Sequence, residues 1–360
     1  MKNMFENKII LITGGTGSWG QELTKQILTY NPKEIRIYDT SEMKEVEMKR
    51  RFNDPRLKFI VGDVRSEKRV DHTCRNVDYI FHLAALKHVP VCEENPEEAI
   101  SINILGTQNV VECAIHNNVK KMINVSTDKA VDPINLYGAT KACAEKLTIA
   151  ANLKTKDTSF VCVRGGNVMG SAGSVIPLFR KQLAELNKIT LTDKRMSRFN
   201  LSLEEAIKLL LNAAEKSVGG EIFVMKMPAI KVVYLAEVMA EELGNEKTKI
   251  ETIGIRPGEK IDEVLVSRYE INRVIEDGNF YIILPYLSIP QLEEHYKNVP
   301  RKELKEEFSS KNTRILTKSE IKEVLSKYDF LKPDLNYDFL INNLSKEQLE
   351  RLSKKEKWVI

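Results

Sequence analysis

An apolar, mostly β-branched run, Ile9-Ile10-Leu11-Ile12, opens directly into Thr13-Gly14-Gly15-Thr16-Gly17-Ser18-Trp19-Gly20, and a helical stretch over 21–29 follows. Glycines at 15, 17 and 20 spell G-x-G-x-x-G at a strand-to-helix turn. Without side chains there, the backbone can turn tightly and approach a pyrophosphate seated on the positive helix N-terminus. Alone the match is weak, because a bare glycine turn reads the same way. Its context carries the weight, since an acid, Asp39, ends the next strand about 20 residues on, where a carboxylate accepts from ribose hydroxyls. We therefore expect a dinucleotide held by Thr13, Gly14, Gly15, Gly17, Ser18, Trp19 and Gly20, with Asp39 on the adenosine ribose. Asp39 repels a 2′-phosphate and so favours NAD, although Lys44 and Arg50 lie close enough in sequence to keep NADP open. Asp63, in Gly62-Asp63-Val64, is a candidate for the adenine end and equally a helix N-cap.

Further apolar strand-like runs recur at 34–38, 57–61, 79–83, 121–125 and 159–163, with helical segments between most of them. Such alternation predicts the α/β class, a Rossmann-type doubly wound parallel sheet over residues 1–165. Beyond Gly166 the texture changes, with Gly170, Gly173 and Pro177 as breakers. Helical stretches at 203–214 and 233–243 and a strand at 221–225 predict a smaller α/β substrate lobe over 166–330. The chain is expected to return to the first sheet around 200–225. The polar tail 331–360, Lys/Glu-rich and helical over 345–358, reads as a peripheral helix or oligomer contact.

Composition narrows the function classes. A chain of 360 residues, 42% hydrophobic, can bury a sizeable core. Its net charge of +4 is interspersed, and the basic run 44–51 is broken by Glu45 and Glu47, which argues against a nucleic-acid partner. Five scattered cysteines without C-x-x-C fit a reducing compartment, and they form no metal pattern with the histidines. Residues 1–8 lack an apolar signal core, and no run approaches the ~18 apolar residues of a membrane span. A cytoplasmic chain with no metal and no membrane contact is expected.

The second informative segment is Val-Ser-Thr-Asp-Lys-Ala-Val-Asp-Pro-Ile-Asn-Leu-Tyr-Gly-Ala-Thr-Lys, from Val125 to Lys141. Tyr137 and Lys141 stand four apart, on one face of a helix. A tyrosine beside an ammonium ionises below its reference pKa of about 10 and can then accept an alcohol's proton. Any i,i+4 pair can be a surface coincidence. Downstream of a dinucleotide fingerprint, we read Tyr137 as the base, Lys141 as the cation that acidifies it and contacts the nicotinamide ribose, and Thr127 as a partner of the reacting oxygen. Asp128-Lys129 adds an acid and an amine that alcohol oxidation alone does not need.

The fingerprint, Asp63, Ala84-Ala85, Asn103, the Tyr-x-x-x-Lys pair and Arg256-Pro257-Gly258-Glu259-Lys260 resemble the extended short-chain dehydrogenase/reductases. Four stretches narrow the resemblance: His82-Leu83-Ala84-Ala85-Leu86-Lys87-His88-Val89-Pro90, Ser126 to Ala130, Gly173 to Phe179, and Ser197-Arg198-Phe199. They resemble UDP-N-acetylglucosamine 4,6-dehydratases, especially the inverting, C-5 epimerising branch of polysaccharide and flagellin-sugar synthesis. The resemblance implies a homo-oligomer, dimer or hexamer, and a cycle. NAD⁺ oxidises C-4 with Tyr137 as base, the C-5 proton and the C-6 hydroxyl leave as water, and hydride returns to C-6. Retaining relatives carry Asp-Glu where this chain has Asp128-Lys129, the form of the inverting branch. An amine serves as base if desolvation or a neighbouring cation lowers its pKa towards about 7. Asp128 is accordingly assigned to the C-6 oxygen and Lys129 to the C-5 proton, giving a UDP-4-keto-6-deoxy-L-hexosamine.

By the same resemblance Val64, Ala84 and Ala85 contact the cofactor. Lys87 lies near the sugar, Asn167 near the diphosphate, and Val175 and Pro177 by the uracil. Arg198 and Arg256 meet phosphates, and Glu259 the uridine ribose. Two departures stand out. Arg164-Gly165-Gly166-Asn167 replaces the usual Arg-Tyr-Gly-Asn, and Asp39-Thr40 stands where the inverting branch tends to carry Ser-Arg. The rival readings are a retaining dehydratase, a UDP-sugar C-4 epimerase, which needs no acid–base pair for water loss, and a non-catalytic nucleotide-binding regulator.

Overall fold

The computed structural model describes residues 4–171, 173–301 and 304–332, so the helix expected at 345–358 lies outside the described residues. The chain begins β1 (Ile9–Thr13), α1 (Ser18–Leu28), β2 (Glu34–Asp39), α2 (Glu42–Phe52), β3 (Leu57–Val61), α3 (Glu67–Cys74) and β4 (Tyr79–His82). Next come α4 (Val89–Glu94), α5 (Pro96–Ile100), a π-helical turn Ser101–Leu105, α6 (Gly106–His116), β5 (Lys121–Thr127), α7 (Leu136–Ala150) and β6 (Ser159–Gly165). Then follow β7 (Asn167–Val168), α8 (Val175–Leu186), β8 (Lys188–Leu191), β9 (Ser197–Leu201), α9 (Leu203–Lys216), β10 (Ile222–Met225), β11 (Ala229–Lys231), α10 (Val232–Leu243) and β12 (Lys249–Thr252). The last elements are β13 (Val264–Val266), β14 (Val274–Asp277), β15 (Phe280–Ile283), α11 (Pro290–Tyr296), β16 (Phe308–Ser309) and α12 (Lys318–Lys327).

The central sheet runs β3-β2-β1-β4-β5-β6-β10-β15-β14, parallel from β3 to β10. Successive side chains of a strand point to opposite faces. Thus Ile10 and Ile12 of β1 join one core with Leu23 and Ile27 of α1, while Leu11 joins the other with Val110 and Ala114 of α6. Burial on both faces is why these strands read as continuous apolar runs. Strand order reverses between β1 and β4, which opens a crevice at the carboxyl ends of the strands.

The second half is divided between this sheet and a lobe. Helix α9, opened by a Ser202/Glu205 capping box, lays Ala206, Ile207 and Leu210 into the first core, and β10 follows beside β6. The hairpin β14–β15, which lies within the range expected for the lobe, extends the central sheet instead. It pairs Ile283 with Ile222 and buries Phe280, Ile282 and Ile283. Its two-residue turn, Gly278-Asn279 with Gly278 at φ +56°, is a hairpin signal that a search for crossover helices passes over. The lobe proper packs α8, α10 and α12 around Phe179, Leu235, Met239 and Leu325.

One buried ion network ties the sheet to the helix behind the crevice. Arg164 on β6 is 4% exposed and forks onto Glu145 of α7 through two 2.8 Å bonds. It also meets Glu270 at 2.8 and 2.9 Å and the Leu265 carbonyl at 3.1 Å.

Candidate active site

At the crevice the β1–α1 turn forms a cradle that only glycine can make. A Cβ on Gly14, at φ +66°, would lie 2.8 Å from the Ala84 nitrogen, and one on Gly20 would lie 2.4 Å from the Gly15 carbonyl oxygen. The turn therefore leaves room for a dinucleotide against bare backbone, at the N-terminus of α1. A cleft of about 600 Å³ opens beside it. Gly14, Gly17, Ser18, Trp19, Asp39, Asp63, Val64, Ala84, Ala85, Lys87, Thr127, Tyr137 and Lys141, all singled out from sequence, line that cleft. Gly15 and Gly20 lie outside its wall and shape the turn. Thr13 is fully buried, its hydroxyl 2.7 Å from His82 Nδ1 and accepting from Ala84 N–H.

Asp39 holds the turn from the far side. Its Oδ2 accepts from the Thr16 N–H and hydroxyl at 3.1 and 2.7 Å, and Oδ1 accepts from Ser41 N–H at 3.2 Å. Asp63 is no helix cap, since Ser66 takes that position on α3. Its carboxylate is gripped by Arg65, which holds it below the usual range. Glu45, buried in α2, is pushed up from 4.5 to about 7 by burial and then by Asp39. An acid with a raised folded pKa favours the folded state below its unfolded value, and loses that advantage as pH rises through the folded value. Glu45→Gln is therefore expected to raise the melting temperature at pH 8 and leave it little changed at pH 4. Equal shifts at both pH values, read by thermal denaturation, would contradict this assignment.

The reacting groups come from the end of β5 and the start of α7. Thr127 closes a 3₁₀ turn, Asp128–Ala130, by accepting from Lys129 N–H at 3.3 Å and donating to Asp128 Oδ1 at 2.9 Å. Asn135 caps α7 through Gly138 N–H at 2.8 Å, which sets Tyr137 in the first turn. A Cβ on Gly138 would lie 2.0 Å from the Lys129 carbonyl oxygen, so the helix start rests directly on the Asp128–Lys129 turn. Asn103, in the π-helical turn, pins the cleft wall to α7, with Oδ1 accepting from Leu86 N–H and Nδ2 donating to Leu86 O and Thr140 Oγ1.

Electrostatics corrects two expectations. Tyr137 is pushed up to about 12 by burial, opposed first by the charge of Lys129 and then by a hydrogen bond with Thr127. Lys141 lies one turn deeper, 3% exposed, and burial lowers it to about 8. It also helps, after burial, to keep His82 neutral between Thr13 and Thr107, at about 3. Nor does the Lys129 pKa fall towards neutrality. Burial lowers it, but two carboxylates outweigh burial and hold the ammonium charged: Asp128 at 3.1 Å and Glu263 at 3.3 Å. Glu263 was not among the residues picked from sequence, where the pair Asp262-Glu263 between Ile261 and Val264 does not say which acid turns inward.

The expected substrate residues divide. Arg198, assigned to a phosphate, instead spends its guanidinium on the carbonyls of Ser197, Lys260 and Ile261 at 2.7–2.9 Å, because β9 runs against that segment. Arg256 is exposed, its guanidinium 3.8 Å from Glu259. Asn135 Nδ2 to Gly258 O and Lys260 Nζ to Val131 O tether this loop beside the catalytic turn. Asn167 on β7, and Val175 and Pro177 in the first turn of α8, do not line the 600 Å³ cleft, and neither do Arg198, Arg256 and Glu259. At the altered Arg-Gly-Gly-Asn sequence, a Cβ on Gly165 would come 3.3 Å from the Trp19 ring, so the missing tyrosine makes way for the indole. Among the described residues no His/Cys/Asp/Glu cluster could hold a metal, and no helix is long and apolar enough to cross a membrane.

Residues 10–285 match the family model described as polysaccharide biosynthesis protein. A Campylobacter jejuni relative named UDP-N-acetylglucosamine 4,6-dehydratase (inverting) is 45% identical over 297 residues, 81% of this chain and 87% of its own. Two others are each 42% identical over 339 residues, 92% of this chain and 99% of theirs. One is called an uncharacterized membrane protein of Methanocaldococcus jannaschii, the other a UDP-glucose 4-epimerase of Rickettsia felis. The solved structure of Pen from Bacillus thuringiensis, 39% identical, has a TM-score of 0.85 and covers 91% of this chain and 99% of its own.

Proposed function

Given that the chain belongs to the polysaccharide-biosynthesis family of extended short-chain dehydrogenase/reductases, we propose that it is an inverting UDP-N-acetylglucosamine 4,6-dehydratase that uses NAD. The observation that carries this reading is the Asp128–Lys129 turn packed against the start of α7, next to Thr127 and Tyr137 of the dinucleotide cleft wall. A C-4 epimerase needs the tyrosine but not a buried acid–amine pair. The glycine cradle and Asp39 suit the pyrophosphate and adenosine ribose of NAD, and the negative charge of Asp39 opposes a 2′-phosphate. When bound, NAD supplies the hydride acceptor at C-4, the donor for C-6, and a cationic ring that favours tyrosinate.

The residues of the chain do the proton work. Tyr137 takes the C-4 hydroxyl proton, and Thr127, bonded to Tyr137 and Asp128, aligns the oxygens. Asp128, 1% exposed and with Oδ2 unpartnered among the described residues, receives through Thr127 the proton that Tyr137 took and passes it to the departing C-6 oxygen. Lys129 takes the C-5 proton. Lys87 on the cleft wall contacts the sugar, and Arg256 and Glu259 meet the nucleotide from the tethered loop. A cytoplasmic homo-oligomer, dimer or hexamer, completes the proposal.

Incubation with UDP-N-acetylglucosamine and NAD in D₂O, followed by NMR, is the test. The expected product is a 4-keto-6-deoxy-L-sugar carrying deuterium at C-5. No loss of water sinks the dehydratase reading, and D-configuration at C-5 sinks inversion. The Rickettsia relative's name keeps epimerisation as the second reading. A galacto-configured sugar with its C-6 oxygen intact would establish it.

A further inference from the structure

A base at C-5 must be a neutral amine, yet Lys129 is held charged. Its surroundings suggest where the proton goes. Glu263 sits just before β13, its backbone locked on both sides by Ser310: its N–H donates to Ser310 Oγ at 2.9 Å and its carbonyl accepts from Ser310 N–H at 2.8 Å. The side chain is 3% exposed, with Oε1 3.3 Å from Lys129 Nζ and 3.7 Å from Arg198 Nε. Oε2 is buried and has no hydrogen-bond partner among the described residues. A buried carboxylate oxygen without a partner is costly.

Resting on the dehydratase reading, we propose that Glu263 is the positioning residue that takes the proton of Lys129 and so converts it into the C-5 base. One N–H bond of Lys129 breaks and an O–H bond forms on Glu263, and the freed nitrogen lone pair then accepts the C-5 proton. No proton is exchanged with water. The charged groups facing the pair are Asp128 and Arg198, with Tyr137 beside Lys129. Before the transfer two cations face two carboxylates, and afterwards Arg198 faces Asp128 alone, so charge stays balanced. With the cleft open the Lys129 side chain is 25% exposed and the pair stays charged; once substrate covers it, the loss of solvation favours internal transfer.

Glu263→Gln keeps the shape and removes the acceptor. Turnover of UDP-N-acetylglucosamine is measured for wild type, Glu263→Gln and Glu263→Asp from pH 6 to 9.5, with melting temperature as the folding control. At pH 7 the glutamine variant is expected to fall about 10²-fold. Its rate relative to wild type should climb about tenfold per pH unit, because Lys129 must now lose its proton to solvent. The aspartate variant should recover most of the rate and the wild-type pH dependence. A glutamine variant within threefold of wild type at pH 7 overturns the inference. So does a loss that is uniform across pH and not recovered by aspartate, the signature of a purely structural role. Failure of wild type itself to release water would instead sink the function on which the inference rests.

Discussion

Tyr137→Phe is expected to lower turnover of UDP-N-acetylglucosamine by about 10²–10⁴-fold, the usual contribution of a positioned general base. The substitution removes one oxygen and leaves the ring. Its packing in the first turn of α7, the Asn135 cap and the contact of Gly138 with the Lys129 carbonyl all remain. The melting temperature and nucleotide binding should therefore hold while product formation collapses. The size of the effect follows from the surroundings, since a half-buried phenol with Thr127 and Lys129 beside it has no equivalent replacement in the cleft wall. A variant that binds NAD and turns over at the wild-type rate would falsify the role of Tyr137 and reopen the reading of a regulator that only senses the dinucleotide.

Removing Arg164 should have the largest effect on stability. Glu145 and Glu270 are buried around this one guanidinium, and Arg164→Met leaves both carboxylates without their counter-charge. Breaking a buried pair in this way costs about 3–5 kcal/mol, which corresponds to a fall in melting temperature of roughly 10 °C. The sign with pH can be worked out. Burial raises Glu270, but Arg164 outweighs it and holds the carboxyl low, so its stabilisation is present above the ordinary carboxylate pKa and lost as pH falls through the folded value. In the variant the stranded acids take up protons more readily. The gap to wild type should therefore be wide at pH 8 and narrow towards pH 5. Because Glu145 lies two turns past Tyr137 on α7, turnover should fall with stability. Melting curves within 2 °C of each other at pH 8 would show that the network is dispensable.

These expectations draw unequally on sequence and structure. The β1–α1 cradle was legible because each of its requirements is local. A β-branched strand, three glycines and an acid at the end of the next strand leave their marks within some thirty residues, whatever the rest of the chain does. Tyr137 and Lys141 were legible for the same reason, since helical spacing alone puts them on one face. The hairpin β14–β15 was not, because short apolar runs do not say which sheet edge will take them. Arg198 looked like a phosphate ligand by residue type, and only the course of β9 against residues 260–261 shows its donors already spent.

Asp128-Lys129 shows where the division lies. Sequence by itself determined that an acid and an amine stand side by side at the end of β5, eight residues before Tyr137, and that this belongs with elimination more than with simple oxidation. Tertiary structure decided the charge of Lys129. Glu263 enters from a distant segment to 3.3 Å of Lys129, and burial lowers Lys141 while it raises Tyr137. Spacing is a property of the covalent chain, whereas protonation depends on distance and burial, and those are set by residues that meet only when the chain is folded.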